Sequence, residues 1–239
     1  MNALMLLDSG FTERLQQKFY SNFILENRYT YLLNGLKTTL TITLLAVLLG
    51  IVLGFLIAII RSTNDITGKL KIPNFFCNIY LTVIRGTPTM VQLLILNFIV
   101  FASSNNKLLV AVLAFGINSG AYVAEIFRSG IMSIDKGQME AGRSLGFNYL
   151  QTMIYIVMPQ AFKNVLPALG NEMIVLLKET AICGYIAIQD LTKGGDIIRS
   201  RTYDPYMPLL GVAAVYLIIV MIMTAGVNRL ERRLRNSDH

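Results

Sequence analysis

Residues 38–60 read TTLTITLLAVLLGIVLGFLIAII, 23 residues without a charge. A helix crossing a bilayer needs about 20 mostly apolar residues. This stretch therefore predicts a spanning helix, and the rest of the chain repeats the signal. Gly86 to Asn106 is an uncharged run of 21 residues, preceded by Arg85 and by the uncharged segment Ile72 to Ile84. Leu108 to Ala124 is 17 residues, ending at Glu125, and Pro205 to Asn228 is 24. Pro167 to Gln189 is apolar but carries Glu172, Lys178 and Glu179; it counts as a fifth span. The expected fold is an all-α membrane protein with five transmembrane helices. A segment 1–34 leads into a membrane domain over 35–230, and a basic tail over 231–239 follows.

Composition agrees. Of 239 residues, 54% are hydrophobic and 15% charged, against about a quarter charged in ordinary soluble domains. Disorder is excluded, because so apolar a chain has ample surface to bury. Cys77 and Cys183 lie in apolar runs and are too few for a disulfide scaffold or a C-x-x-C metal site. The only histidine is His239, which excludes a histidine-ligated metal centre. The net charge of +7 reads as basic loops orienting a membrane protein rather than as a nucleic-acid surface. Met1 to Leu7 has no basic flank and is too short for a secretory signal.

Orientation follows from the loop cations. With the N-terminus outside, the inside segments hold Arg61, Lys69, Lys71, Arg128, Lys136, Arg143, Lys163, Arg229, Arg232, Arg233 and Arg235. The outside segments hold Arg14, Lys18, Arg28, Lys107, Lys193, Arg199 and Arg201. The excess favours N-out, C-in. Phe11, Leu15, Phe19 and Phe23 recur at i+4, which predicts an amphipathic helix either on the outer membrane surface or packed on the protein.

Residues 129–166 form the longest non-spanning segment expected on the inside. Asp135 and Gln138 have the spacing of a helix-capping pair, predicting a short helix from Gln138 to Leu145 that stops at Gly146. Ala141 and Gly142 give it a face almost without side chains, which suits close approach of another protein's backbone. Pro159 should break the next helix, and Pro167 should open the fourth span.

Several motifs fall in order along the chain. Glu140-Ala141-Gly142, then Gly146, then Ile156-x-Met158-Pro159 resembles the "EAA" loop of permease subunits in bacterial ATP-binding-cassette (ABC) importers. The chain departs from that pattern at Gly142, where the family usually has alanine, and at Met158, where it has leucine. Arg85-Gly86-Thr87-Pro88 with Val91-Gln92, Gly120 to Ile131, and Leu176 to Thr180 are similar to segments of the polar amino acid permeases, of histidine, glutamine and arginine type. The resemblance covers about 30–230. It implies a type I ABC importer-like subunit for polar amino acids in the bacterial cytoplasmic membrane. It also implies that Glu140, Ala141, Gly142 and Gly146 form a coupling element docking a cytoplasmic ATPase. The partners implied are two ATPase subunits, a second permease copy or paralogue, an extracytoplasmic amino-acid-binding protein and membrane lipid. The chain carries no G-x-x-x-x-G-K-[ST] phosphate loop, so ATP and magnesium belong to the ATPase, this chain is not an enzyme, and no cofactor is expected in it.

Polar residues at membrane depth usually face a cavity or a partner. Gln92, Asn118, Ser119, Tyr122, Glu125 and Glu179 are the candidate substrate path, with Arg85. Arg85 could hold a substrate carboxylate through paired hydrogen bonds, or it could pair with Glu179 between helices. Lys178 is expected to snorkel or to pair within the protein, and Glu172 to sit in water at the cytoplasmic end. In the outer loop, Asp196 to Tyr203 is expected as a short helix after a Gly194-Gly195 hinge, with Ile197 and Ile198 inward. Arg199 and Arg201 are then left for an acidic surface on the binding protein, unless the loop is only a gate lid. Two other classes of protein fit the sequence less well. An intramembrane serine protease around Gly116 to Gly120 lacks a membrane-embedded histidine and would need Ser119 with Lys178. A stand-alone secondary transporter or channel would leave the small-faced cytoplasmic helix without a role.

Overall fold

The computed structural model describes residues 12–236, and every regular element among them is helical. Helix α1 spans 12–19 and runs into a π-turn, Tyr20–Ile24, and a 3-10 turn, Leu25–Asn27. Then come α2 (Tyr29–Thr67), α3 (Lys71–Gly86), the short α4 (Thr89–Ile95) and α5 (Lys107–Met132). The loop segment after α5 holds α6 (Lys136–Ser144) and α7 (Tyr149–Thr152), followed by α8 (Met158–Glu179), α9 (Leu191–Thr202) and α10 (Tyr206–Asn236). α2, α5 and α10 are long and apolar enough to cross a membrane. α8 carries Glu172, Lys178 and Glu179 and stays outside that class.

The second apolar stretch is not one straight helix. α3 and α4, with its π-turn Leu96–Val100, meet at 107°. Pro88 cannot continue a helix and forces the residue before it into extended backbone; Thr87 sits at φ −121°, ψ 147°. The uncharged run from Gly86, with the segment Ile72 to Ile84 before it, is thereby a bent pair and not one straight helix. Pro167 is a second correction: it lies inside α8, whose start is at Met158 with Pro159 in the first turn, where a missing N–H costs nothing. The 34/35 boundary falls within the unbroken α2. Of the aromatic face foreseen near the N-terminus, Phe11 lies outside the described residues, Phe19 is exposed and Phe23 is buried.

The chain divides into two compact units, one of residues up to Thr41 with Thr180–Ile219, the other of Ile42–Glu179 with the segment from Val220. In the second, α2 and α5 cross through paired glycines. Gly50 and Gly54 on α2, and Gly116 and Gly120 on α5, each form a G-x-x-x-G pair, which lets membrane helices approach closely. A Cβ on Gly50 would stand 2.9 Å from Ser119 Oγ, and one on Gly54 2.7 Å from the Ala124 backbone nitrogen. Tyr80 ties α3 to the same seam by donating its hydroxyl to the Ile117 carbonyl at 2.5 Å. In the first unit, Asn22 bridges the N-terminal segment to the α9–α10 turn through Thr202 and Asp204.

Candidate functional site

α5 carries the polar residues in two tiers, seven positions or about 10 Å apart along the axis. In the upper tier Asn118 and Ser119 are buried. Asn118 Nδ2 donates to Gln92 Oε1 at 2.9 Å. The Gln92 amide nitrogen reaches the Ile84 carbonyl at 2.7 Å and the Thr87 carbonyl and hydroxyl at 3.0 and 2.8 Å. Breaking a helix strands its last carbonyls, and where α3 ends Gln92 satisfies that of Ile84. Gln92 is thus the staple of the bend. Ser119 Oγ donates to Glu172 Oε1 at 2.8 Å, so Glu172 is a hydrogen-bonded partner of α5 rather than a solvated end residue. Lys178 is exposed.

The lower tier centres on Glu125. It accepts a hydrogen bond from Arg61 Nη1 of α2 and a long one, 3.4 Å, from Arg128 Nε. Arg128 also donates to Asp65 Oδ2 at 3.0 Å. Arg85 Nη1 stands 3.8 Å from Glu125 Oε1, and its guanidinium lies 5.7 Å over the Tyr122 ring. The carboxylate beside Arg85 is therefore Glu125. The alternative pair of Arg85 with Glu179 gives way to this one, because the last turn of α3, which carries Arg85, stands beside Glu125 of α5. Arg61, Arg85, Tyr122 and Glu125 line an open groove of about 520 Å³ with Asn78, Leu81, Thr82 and Gly86. Arg61 and Asp65 carry no sequence signal of their own: they lie past the uncharged core of α2 and read as loop cation and loop acid.

The loop helix α6 begins at Lys136, two residues before the expected start. Asp135 Oδ1 caps it by accepting from the Gly137 amide at 2.6 Å. Gln138 does not close a capping pair; its Oε1 accepts from Gln160 at 3.3 Å. A reciprocal capping box occurs instead between Asn148 and Gln151 at α7. Gly146 has φ +88° and ends the helix, as a residue without Cβ can. Glu140 and Ala141 are exposed, whereas Gly142 is buried. A Cβ on Gly142 would meet Ile156 Cδ1 at 3.0 Å and Thr152 Oγ1 at 2.9 Å. Its missing side chain serves the loop's own packing, not the outer face. Leu145, Leu150 and Tyr155 are exposed nearby.

Helix α9 starts at Leu191, because Asp190 caps it through the Lys193 amide at 2.6 Å. Gly194 and Gly195 are buried helical contacts against Tyr31 and Val212, which corrects the hinge. Ile198 is fully buried and Ile197 partly so. Arg199 is exposed but bonded to Asp196 at 3.0 Å through Nε, and Arg201 lies 5.0 Å over Tyr31. Neither is a free cation. Lys193 and Arg199 hold the Asp196 carboxyl below its ordinary range. Burial pushes Asp190 up to about 6.

This architecture is that of the membrane subunits of ABC importers. It superimposes on a solved amino acid ABC transporter crystallised with histidines, with a TM-score of 0.78 and 42% identity over 88% of this chain and 98% of that one. The methionine transporter MetNI shares the fold at 18% identity, TM-score 0.71, over 86% of this chain and 97% of that one. Residues 46–236 match the family of binding-protein-dependent transport system inner membrane components, and the chain belongs to that family. Its relatives include a putative glutamine transport permease, GlnP, of Rickettsia typhi, 35% identical over 91% of this chain and 96% of that protein. The arginine transport permease ArtQ of Bacillus subtilis is 38% identical over 69% of this chain and 76% of its own length. GlnP of Escherichia coli K12 is 36% identical over 69% and 77%.

Proposed function

We propose that this chain is the permease of an ATP-driven importer of polar amino acids in the bacterial cytoplasmic membrane, and that Arg85 receives the substrate carboxylate. The names of its relatives support the substrate class. The observation that carries the site is the inequality among the three arginines at Glu125. Arg61 is bonded to it and largely covered, and Arg128 is shared with Asp65. Arg85 is the most exposed, at 44%, and stands off at 3.8 Å over an open groove. A carboxylate entering the groove finds Arg85 displaceable at small cost, and a guanidinium offers it two parallel hydrogen bonds.

In this reading α8 and the turn after it make a fifth span, with the N-terminus outside and the C-terminus in the cytoplasm. The exposed Glu140–Ala141 face of α6 and the apolar residues around Leu150 dock an ATPase subunit, which holds ATP and magnesium. Two ATPase subunits and a second permease copy or paralogue complete the transporter. Arg199 and Arg201 flank the outer face offered to an amino-acid-binding protein.

The test is uptake of labelled glutamine and arginine by the complex, purified with its own partners and reconstituted with ATP inside the vesicles. Arg85→Ala should lower uptake at least tenfold while the subunits still co-purify, and Arg85→Lys should recover part of it. Full uptake by Arg85→Ala would remove the substrate role. Uptake driven by an ion gradient without ATP would favour a stand-alone transporter.

A further inference from the structure

The end of α10 has a geometry to which the proposed function assigns no role. The helix is continuous for 31 residues, Tyr206–Asn236, about 46 Å at 1.5 Å per residue, whereas the hydrocarbon core is about 30 Å thick. Almost none of its apolar stretch is buried. Its last turns carry Arg229, Arg232 and Arg233, all exposed. At 100° per residue these three fall on one stripe about 100° wide. Glu231, the one acid among them, points to the opposite side.

The same stripe continues up the helix as Ala225, Gly226 and Ile222. Ile222 is 67% exposed, and a Cβ placed on Gly226 would find no atom within 4 Å. The opposite face is occupied: Val227 packs against Gly170 of α8. One side of α10 therefore presents an apolar strip, then a notch of two small residues, then three guanidinium groups, in that order along the axis. That order matches a phospholipid, from acyl chain through glycerol to phosphate.

We propose that this face of α10 binds an anionic phospholipid, its headgroup phosphate held by Arg229, Arg232 and Arg233 and its glycerol backbone seated over Ala225 and Gly226. Cations beside a span are attracted to anionic lipid by about fivefold each, so three on one stripe give a marked preference over zwitterionic lipid. The proposal rests on the transporter reading only for its activity readout; the binding readout stands apart from it.

The test compares wild type with the triple variant Arg229→Gln, Arg232→Gln, Arg233→Gln and with Gly226→Leu, which fills the notch without altering charge. Each is purified with its partners into nanodiscs of phosphatidylcholine with phosphatidylglycerol from none to half. Bound phosphatidylglycerol is counted by native mass spectrometry, and ATPase activity is followed. Wild type should retain phosphatidylglycerol over phosphatidylcholine at least tenfold, with retention falling as salt rises. The triple variant should lose that preference, and Gly226→Leu should weaken it at unchanged charge. Equal retention by wild type and triple variant, or displacement of the lipid by free glycerophosphate, overturns the proposal. A stripe covered by a second copy or by the ATPase would appear as no lipid retained by wild type, which overturns it as well. If lipid is retained as expected but no amino acid is taken up, the transport reading fails and the lipid site stands.

Discussion

Arg61 near the end of α2 and Glu125 on α5 are 64 positions apart in the chain and form a hydrogen-bonded ion pair with side chains 16% and 27% exposed. Around them Arg85, Arg128 and Asp65 complete a cluster with one positive charge in excess. Removing the carboxylate leaves three guanidinium groups facing one another. Glu125→Ala should lower the melting temperature of the purified transporter by several degrees. A double-mutant cycle with Arg61→Ala should give a coupling energy of about 1 to 3 kcal/mol. A coupling near zero would mean that water screens the pair.

The glycine seam between α2 and α5 gives a prediction with an internal control. Gly54→Val would drive its side chain into Val123 and Ala124, and overpacking of this kind costs about 1 to 3 kcal/mol. Gly86 has no atom within 4 Å of where its Cβ would stand, so Gly86→Ala should leave thermal stability unchanged. Equal loss in both variants would point to backbone flexibility rather than contact.

The loop helix separates packing from docking. Gly142→Val should disorder the segment locally, read as faster protease cleavage between 136 and 160, because Thr152 and Ile156 fill the space. Adding Thr152→Ala should restore part of the protection. Ala141→Trp, on the exposed face, should leave protection intact and reduce co-purification of the ATPase. Normal assembly with a tryptophan at 141 would place the ATPase contact elsewhere.

Asp190 predicts a pH dependence. It is fully buried, with Oδ2 unpaired, and burial lifts it from 3.8 to about 6 although the Lys193 amide donates to Oδ1. A raised acid contributes stability that is present at low pH and lost as pH rises through its folded value. Between pH 4 and 7 the displacement is worth about 3 kcal/mol. Wild type should therefore gain stability relative to Asp190→Asn as pH falls from 7 to 5, since asparagine keeps an acceptor for the cap but does not titrate. Parallel melting curves across that range would show that Asp190 stays solvated.

Hydropathy alone placed α2, α5 and α10, because a span is a local property: about 20 apolar residues suffice, whatever surrounds them. The same holds for the end of α6 at Gly146, since a missing Cβ acts within one turn; the break at Pro88 is equally local in cause, but hydropathy runs straight through it. What Pro88 does to direction was not local. The 107° bend folds α4 so that Gln92 staples the stranded Ile84 carbonyl, and the packing of α3 on α5 sets Arg85 beside Glu125. Arg61 and Asp65 look like ordinary loop charges until α2 is seen to run on to Thr67 against α5. Ala141 and Gly142 are neighbours of nearly equal size in the sequence, yet one faces out and the other is pressed on Thr152 and Ile156. Helical phase relative to a neighbour decides that, and phase is set only when the helices pack.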